Sequence, residues 1–314
     1  MNKALYILVL SFVILNTASL TLASEKEQIH QNNTPIEYQE GQIIAYFNEV
    51  YELVKPEQAR YYRQYLGKTT QGWPIIQDFY QSSGQKYCSS YTVKPTENLQ
   101  SKDILPWEGT INCWFENGQK QIEWFFKNGA ANGILTVWNE KGQKELQSSM
   151  KNDKPDGSWV TWNEKGQIIS KQNFKDGQFD GKQVNFGCSN QNCSKISETH
   201  YKNGKGDGKQ TYWHENGKKS STGYMKKGLN EGKAIGWYDN GQKRWEHYFK
   251  NGKLNGQNKF WNKNGRLEKT IFWQNGTIIH TTFYNLDGSV KNIEPCIEKC
   301  VSGEWDEITI NPVK

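Results

Sequence analysis

GSWVTWNEKGQIISKQNFKDGQFDG, residues 157–181, reads as one complete structural unit. Its first half climbs to Trp162 and is followed by the turn-rich NEKG. Its second half, IISKQNF, runs to another glycine-bearing turn, and Gly181 closes the unit. Two strand-length stretches between glycine turns read as a β-hairpin. Outward from it the same unit recurs. Trp138 and Trp114 precede Trp162 at steps of 24, and Phe186 continues the column. Trp213 follows after 27, because the segment around Cys188 and Cys193 adds three residues, and Trp237 and Trp261 resume the step of 24. Gly118, Gly142, Gly166, Gly217, Gly241 and Gly265 each stand four residues after a Trp. Gly133, Gly157, Gly181, Gly208, Gly232 and Gly256 form a second column with the same steps. Columns that share one period and one insertion specify tandem copies of one element. The fold class is therefore all-β: hairpins of about 24 residues forming an elongated, twisted antiparallel sheet.

The copies run over 41–290, with a longer loop at 94–109 and an insertion at 187–194. Residues 24–40 read as a flexible lead and 291–314 as a C-terminal cap or tail. Asn117-Gly118, Asn216-Gly217, Asn240-Gly241 and Asn264-Gly265 are hairpin-turn signals. Two copies carry Lys141-Gly142 and Lys165-Gly166 instead. Lysine tolerates positive φ poorly, which argues for a three-residue loop with only the glycine left-handed. Such a loop places the Trp column and the column Phe126, Met150, Phe174, Tyr201, Met225, Phe249 and Trp273 on one face, so a single apolar side is expected.

Composition agrees with a thin sheet. The hydrophobic share is 35%, below the usual ~45–50%, yet aromatic rings supply 13%. The formal charge is +6, with Lys and Glu interspersed, which points to a solvated lysine-rich face and away from nucleic acid. Residues 1–23 read as an export signal: Lys3, the apolar run ALYILVLSFVIL (4–15), and small residues ending at Ala23. Cleavage there would leave a soluble protein outside the cytosol, secreted or periplasmic. Six cysteines suit that compartment. Pairing of sequence neighbours gives Cys88–Cys113, Cys188–Cys193 and Cys296–Cys300. The register above sets Cys88 and Cys113 on different faces, so that pair needs the 94–109 loop to rearrange the strands.

The candidate binding residues are the ladder Trp114, Trp138, Trp162, Trp213, Trp237 and Trp261. The rings can be the core of a sheet with little else to bury, the reading the composition favours, or an exposed patch for a sugar or acyl chain. The acidic column Glu116, Glu140, Glu164, Glu215 and Asp239 sits at turns beside lysines and reads as solvated. His30, His200, His214, His247 and His280 lack metal-ligand spacing and read as surface residues. No catalytic motif, metal site or cofactor site is expected.

FKNGKLNGQNKFWNKNG (249–265), YMKKGLNEGKAIGWYDNG (224–241) and FKDGQFDGK (174–182) resemble the MORN repeat. The likeness is closer to its bacterial variant, the YwqK-like antitoxin family, and covers roughly residues 60–290. The resemblance implies an elongated sheet of stacked hairpins. It also implies roles in scaffolding, lipid contact or toxin neutralisation, with no catalytic residues to transfer. The expectation is an exported, non-catalytic scaffold that binds another protein; a glycan or anionic lipid surface bound through the Trp ladder is the alternative.

Overall fold

The computed structural model describes residues 37–101, 103–189 and 192–295. The export signal at 1–23 and the pair Cys296–Cys300 lie outside the described residues. The chain divides into two compact units, 1–166 and 167–314. Among the described residues both are built of antiparallel strands, with one 3-10 turn at Pro56–Gln58 in the first. No helix among the described residues is long and apolar enough to cross a membrane.

The first unit holds two layers. One is a four-stranded sheet, β1 (Ile43–Phe47), β2 (Tyr61–Lys68), β3 (Pro74–Tyr80) and β4 (Tyr91–Thr92), in that order. The other is the start of the hairpin series: β5 (Glu108–Trp114), β6 (Lys120–Lys127), β7 (Ala130–Ala131), β8 (Gly133–Trp138), β9 (Lys144–Lys151) and β10 (Lys154–Trp162). Ile44, Tyr65, Ile76 and Val93 of the first layer share one core with Ile111, Phe126, Leu135, Val137 and Met150 of the second. Leu99 and Ile104, from the connecting loop, complete it. Arg63 fixes that loop from below. Its guanidinium donates to both Asp78 oxygens at 2.7 and 3.0 Å, and its third nitrogen to the carbonyls of Leu99 and Ser101. Both partners are almost fully buried, so the fork satisfies charges that would otherwise be costly to desolvate.

Residues 87–89 run antiparallel beside 112–114, which sets Cys88 opposite Cys113, and the two form a disulfide. The rearrangement that this pair requires is therefore present. Cys188 and Cys193 are also disulfide-bonded, facing each other across the inserted turn.

The second unit continues the hairpin pattern as an open sheet. Its strands are β11 (Ile168–Lys175), β12 (Gln178–Phe179), β13 (Gly181–Cys188), β14 (Cys193–Lys202), β15 (Lys205–Gly206), β16 (Gly208–Trp213), β17 (Lys219–Lys226) and β18 (Leu229–Asn230). They are followed by β19 (Gly232–Trp237), β20 (Lys243–Lys250), β21 (Lys253–Leu254), β22 (Gly256–Trp261), β23 (Leu267–Gln274), β24 (Thr277–Tyr284) and β25 (Val290–Pro295). Each pairs with its neighbours in sequence.

The loop after each Trp has three residues, as read. Gly118 N–H donates to Phe115 O, Phe115 N–H to Gln119 O, and Gly118 takes φ +83°. Asn117 is not left-handed. The tightest turn is the other one: Asn128-Gly129, Asn203-Gly204, Asn251-Gly252 and Asn275-Gly276 all have both residues at positive φ, the two-residue turn that matches strand twist. Lys227 takes φ +52° in the same slot, so lysine is accepted where the argument above disfavoured it.

The one-faced packing expectation is overturned. Trp237 pairs with Lys243, but the next rung pairs Gly236 with Trp245, leaving Arg244 as an extra residue. The same register shift follows Trp114, Trp138, Trp213 and Trp261. One added residue inverts the alternation of the second strand. The Trp column therefore faces one way, and the Phe126-to-Trp273 column faces the other.

Successive hairpins are also clasped at their ends. The residue before the second glycine accepts the first N–H of the next tight turn. The pairs are Asn132 with Asn152, Asp180 with Asn203, Asp207 with Lys227, and Glu231 with Asn251, at 2.8–3.2 Å.

Candidate functional site

The two faces separate what the sequence left combined. On the Phe/Met side of the first unit, Phe126 and Met150 are buried beneath the four-stranded layer. The opposite side carries the ladder. Trp114, Trp138 and Trp162 in the first unit, and Trp213, Trp237 and Trp261 in the second, are all half-buried. They are neither a closed core nor free rings.

Four of the six carry a lysine from the preceding hairpin over the ring. Lys120 Nζ lies 5.5 Å from the centroid of Trp138, Lys144 5.9 Å from Trp162, Lys195 5.8 Å from Trp213, and Lys243 5.4 Å from Trp261. An ammonium over an indole face is held by the ring quadrupole. Three of these lysines are held further by a carboxylate three residues on. Lys120 contacts Glu123 at 2.6 Å, Lys195 contacts Glu198 at 2.8 Å, and Lys243 contacts Glu246 at 3.2 Å. Glu198 and Glu246 each take a second lysine across the strand, Lys182 at 3.0 Å and Lys233 at 2.9 Å.

The protonation states agree with that geometry. The hydrogen bond from Lys195, joined by Lys182, holds the Glu198 carboxyl below the usual range. Burial pushes Glu246 the other way, but donation from Lys233, Lys243 and Tyr248 overcomes it and lowers its pKa. The Glu246 hydrogen bond in turn raises Lys233. Glu198, Glu246 and Lys233 therefore stay ionised at neutral pH, and in the second unit the ring edges lie among charges of both signs.

The remaining sequence-nominated residues divide. The ladder carbonyls tie neighbouring hairpins together: Tyr80 Oη donates to Trp114 O, and Tyr238 Oη to Trp261 O, at 2.8 and 2.9 Å. His214 Nε2 is 2.9 Å from Trp237 O. Glu116 leaves the acidic column to pair with Arg60 at 2.7 Å and accept from Ser82, whereas Asp239 is exposed, 3.8 Å from Lys263. His247 corrects the surface reading. It is fully buried, stacked on Trp245 at 4.4 Å, and both ring nitrogens lack a partner. Among the described residues, no group of three or more His, Cys, Asp or Glu side chains is placed to hold a metal ion.

The lysines and glutamates of this face were not singled out by the sequence reading. The trace was present: Lys120, Lys144, Lys219 and Lys243 each stand six residues after a ladder Trp.

Comparison with known proteins gives one family. The model described as the MORN repeat variant matches residues 107–128, 155–176 and 206–227. Their starts are 48 and 51 residues apart, which is 24 + 24 and 24 + 27, so every second hairpin is matched in the phase set by the glycines. No curated protein matches. Among solved structures, the chain aligns with "Crystal Structure of TcdB2-TccC3-Cdc42" at 9% identity and a TM-score of 0.15. The alignment covers 75% of this chain and 16% of that one, so this chain spans about a sixth of that structure's length. At that score the likeness supports neither fold nor function.

Proposed function

We propose that the chain is an exported, non-catalytic scaffold whose lysine-covered tryptophan face binds another protein. One observation carries this reading. At Trp138, Trp213 and Trp261 an indole face that a sugar would stack upon already holds one of the chain's own ammonium groups, and Glu123, Glu198 and Glu246 pin those groups in place. What reaches solvent is a mixture of indole edge, ammonium and carboxylate. Tryptophan is enriched at interfaces between proteins, where aromatic anchors sit within a polar rim. The match to a repeat variant supports a repeat scaffold. The export-like segment at 1–23 and the two disulfides support placement outside the cytosol.

The test compares the full chain with Lys195→Glu/Lys243→Glu, which inverts charge on the face of the second unit and leaves the turns untouched. Chemical cross-linking in the native extracellular fraction should yield a discrete adduct with the wild type and lose it with the variant. An identical adduct pattern, with both proteins folded by circular dichroism, would remove the face from the binding event. Adducts confined to anionic vesicles or cell-wall glycan would transfer the assignment to those surfaces.

A further inference from the structure

A second aromatic feature lies away from the ladder, in the first unit. Trp73 follows Gly72 at the end of the hairpin joining β2 to β3, where the three-residue loop is built as in the later repeats: Thr69 N–H donates to Trp73 O and Gly72 N–H to Thr69 O. In the later hairpins the residue after that glycine is Gln119, Gln143, Gln167, Lys218, Gln242 or Arg266. Trp107 stands two residues before Gly109, where other copies have Ala131, Pro155, Phe179, Gly206, Asn230 or Leu254. Two tryptophans thus depart from the repeat pattern, and they meet, with ring centroids 5.3 Å apart and planes inclined at 55°.

The two rings wall a cavity of about 240 Å³, completed by Thr69, Gln71, Thr92 and Glu108. Both rings are half-buried, so part of each surface is held by the protein and part faces the opening. The polar lining is short and mostly uncharged. Thr69 Oγ1 accepts from Trp73 N–H at 3.1 Å, which leaves its own hydrogen free to donate. Gln71 offers both a donor and an acceptor, and Glu108 two acceptors.

We infer that this cleft is a binding site for one ring of a neutral saccharide. Charge selects the ligand class. Glu108 disfavours an anion, and a cation would compete with Lys94, whose ammonium already lies 4.4 Å from the Trp107 centroid. A lipid chain would leave the Thr69, Thr92 and Gln71 groups unpaired. A sugar presents a C–H face to the Trp73 indole, since Lys94 already covers the Trp107 ring, and hydroxyls to the donors and acceptors of Thr69, Gln71, Thr92 and Glu108. The volume is below the usual ~300–1,000 Å³ of sites for drug-sized ligands, which suits a single ring rather than a long chain in the groove. This site is separate from the ladder, so it stands or falls independently of the protein-binding proposal.

The experiment uses saturation-transfer difference NMR on the full chain with cellotriose, maltotriose and chitotriose. At least one should show transfer concentrated on a single residue of the trimer. Trp73→Gln places in the slot the residue that four later hairpins use, so the fold is retained, and it should weaken binding by roughly tenfold or more. Lys195→Glu/Lys243→Glu should bind the sugar as the wild type does. The proposal is overturned if none of the trimers binds, or if Trp73→Gln binds equally well.

Discussion

The pair Gly236–Trp245 tests the register of the whole repeat. The two residues face each other across β19 and β20, on the side opposite the ladder. A Cβ placed on Gly236 would lie 2.2 Å from Trp245 Cε2, 2.4 Å from Nε1 and 2.7 Å from Cζ2. The indole lies over the glycine, as aromatic residues do across from strand glycines. Adjacent hairpins divide the same space differently, with Tyr212 facing Ser221 and Phe260 facing Lys269. Gly236 is not among the left-handed glycines, so alanine adds no backbone strain there. Alanine in a strand would normally gain ~0.5–1 kcal/mol. Here it must displace a rigid ring, and overpacking of that kind costs ~1–3 kcal/mol. Gly236→Ala should therefore destabilise by about 1 kcal/mol or more. Trp245→Ser, which copies the Ser221 solution, should also destabilise, because ring burial is lost. The double variant should be better than the sum of the two by ~1–2 kcal/mol, within the range seen for residues in contact. Urea titrations of the four proteins give the coupling directly. Additivity to within ~0.5 kcal/mol would show that the indole does not cover the glycine, and the inverted strand register would lose its main support.

Four further outcomes follow from the same coordinates. Burial pushes the His247 imidazole from 6.5 down to about 4, while the unfolded chain protonates near the ordinary value. Stability should accordingly fall as pH drops from about 6.5 towards 4, by up to about 3 kcal/mol, and His247→Leu should flatten the urea midpoint across that window; an unchanged slope would assign the acid sensitivity elsewhere. Arg63→Met leaves Asp78 buried without its fork and should cost ~3–5 kcal/mol in thermal or urea unfolding, a loss that a surface pair such as Lys120–Glu123 would not show. Asp207→Ala removes the acceptor of the Lys227 N–H and should cost about 1 kcal/mol, with faster amide exchange at 227 and recovery in Asp207→Asn. Phe126→Ala should cost ~3–5 kcal/mol because the side chain is fully buried, whereas Phe249→Ala, at the same repeat position but half-buried, should cost clearly less; equal losses would contradict the covering of the first unit's face.

The period was legible because it rests on residues whose chemistry is forced. Gly118 and its equivalents sit at positive φ, and the three-residue loop expected from the lysines at 141 and 165 is present, although Lys227 shows that lysine is not barred from positive φ. The facing of the columns was not legible. Arg244, Gln121, Glu145 and Glu268, the extra residues that invert the strands, are polar like any solvated strand residue and carry no compositional mark. His247 was misplaced for a related reason. Its equivalents are Trp124, Ser148, Thr199, Gly223 and Ile271, a mixture that reports no single environment. The candidate site was half visible. The ladder was found by counting, but its lysine cover depends on which strand face Lys120, Lys195 and Lys243 occupy, and that again depends on the extra residue.

That extra residue links the fold to the function proposed for it. Without it, the Trp rings and the Phe126–Met150 column would share one side, and in the first unit the four-stranded layer would bury both. With it, the layer covers Phe126 and Met150 while Trp138 and Trp162 face away, with Lys120 and Lys144 over their rings. The second unit keeps the same inversion, although its Met225 and Phe249 are only half-buried. If the rings served packing alone, the inversion would be a loss, because it moves the largest apolar side chains off the face that is covered. It is repeated in hairpin after hairpin, and a lysine lies over the ring at Trp138, Trp162, Trp213 and Trp261. A sheet built this way retains one face for cohesion and reserves the other, with its charges fixed in place, for contact.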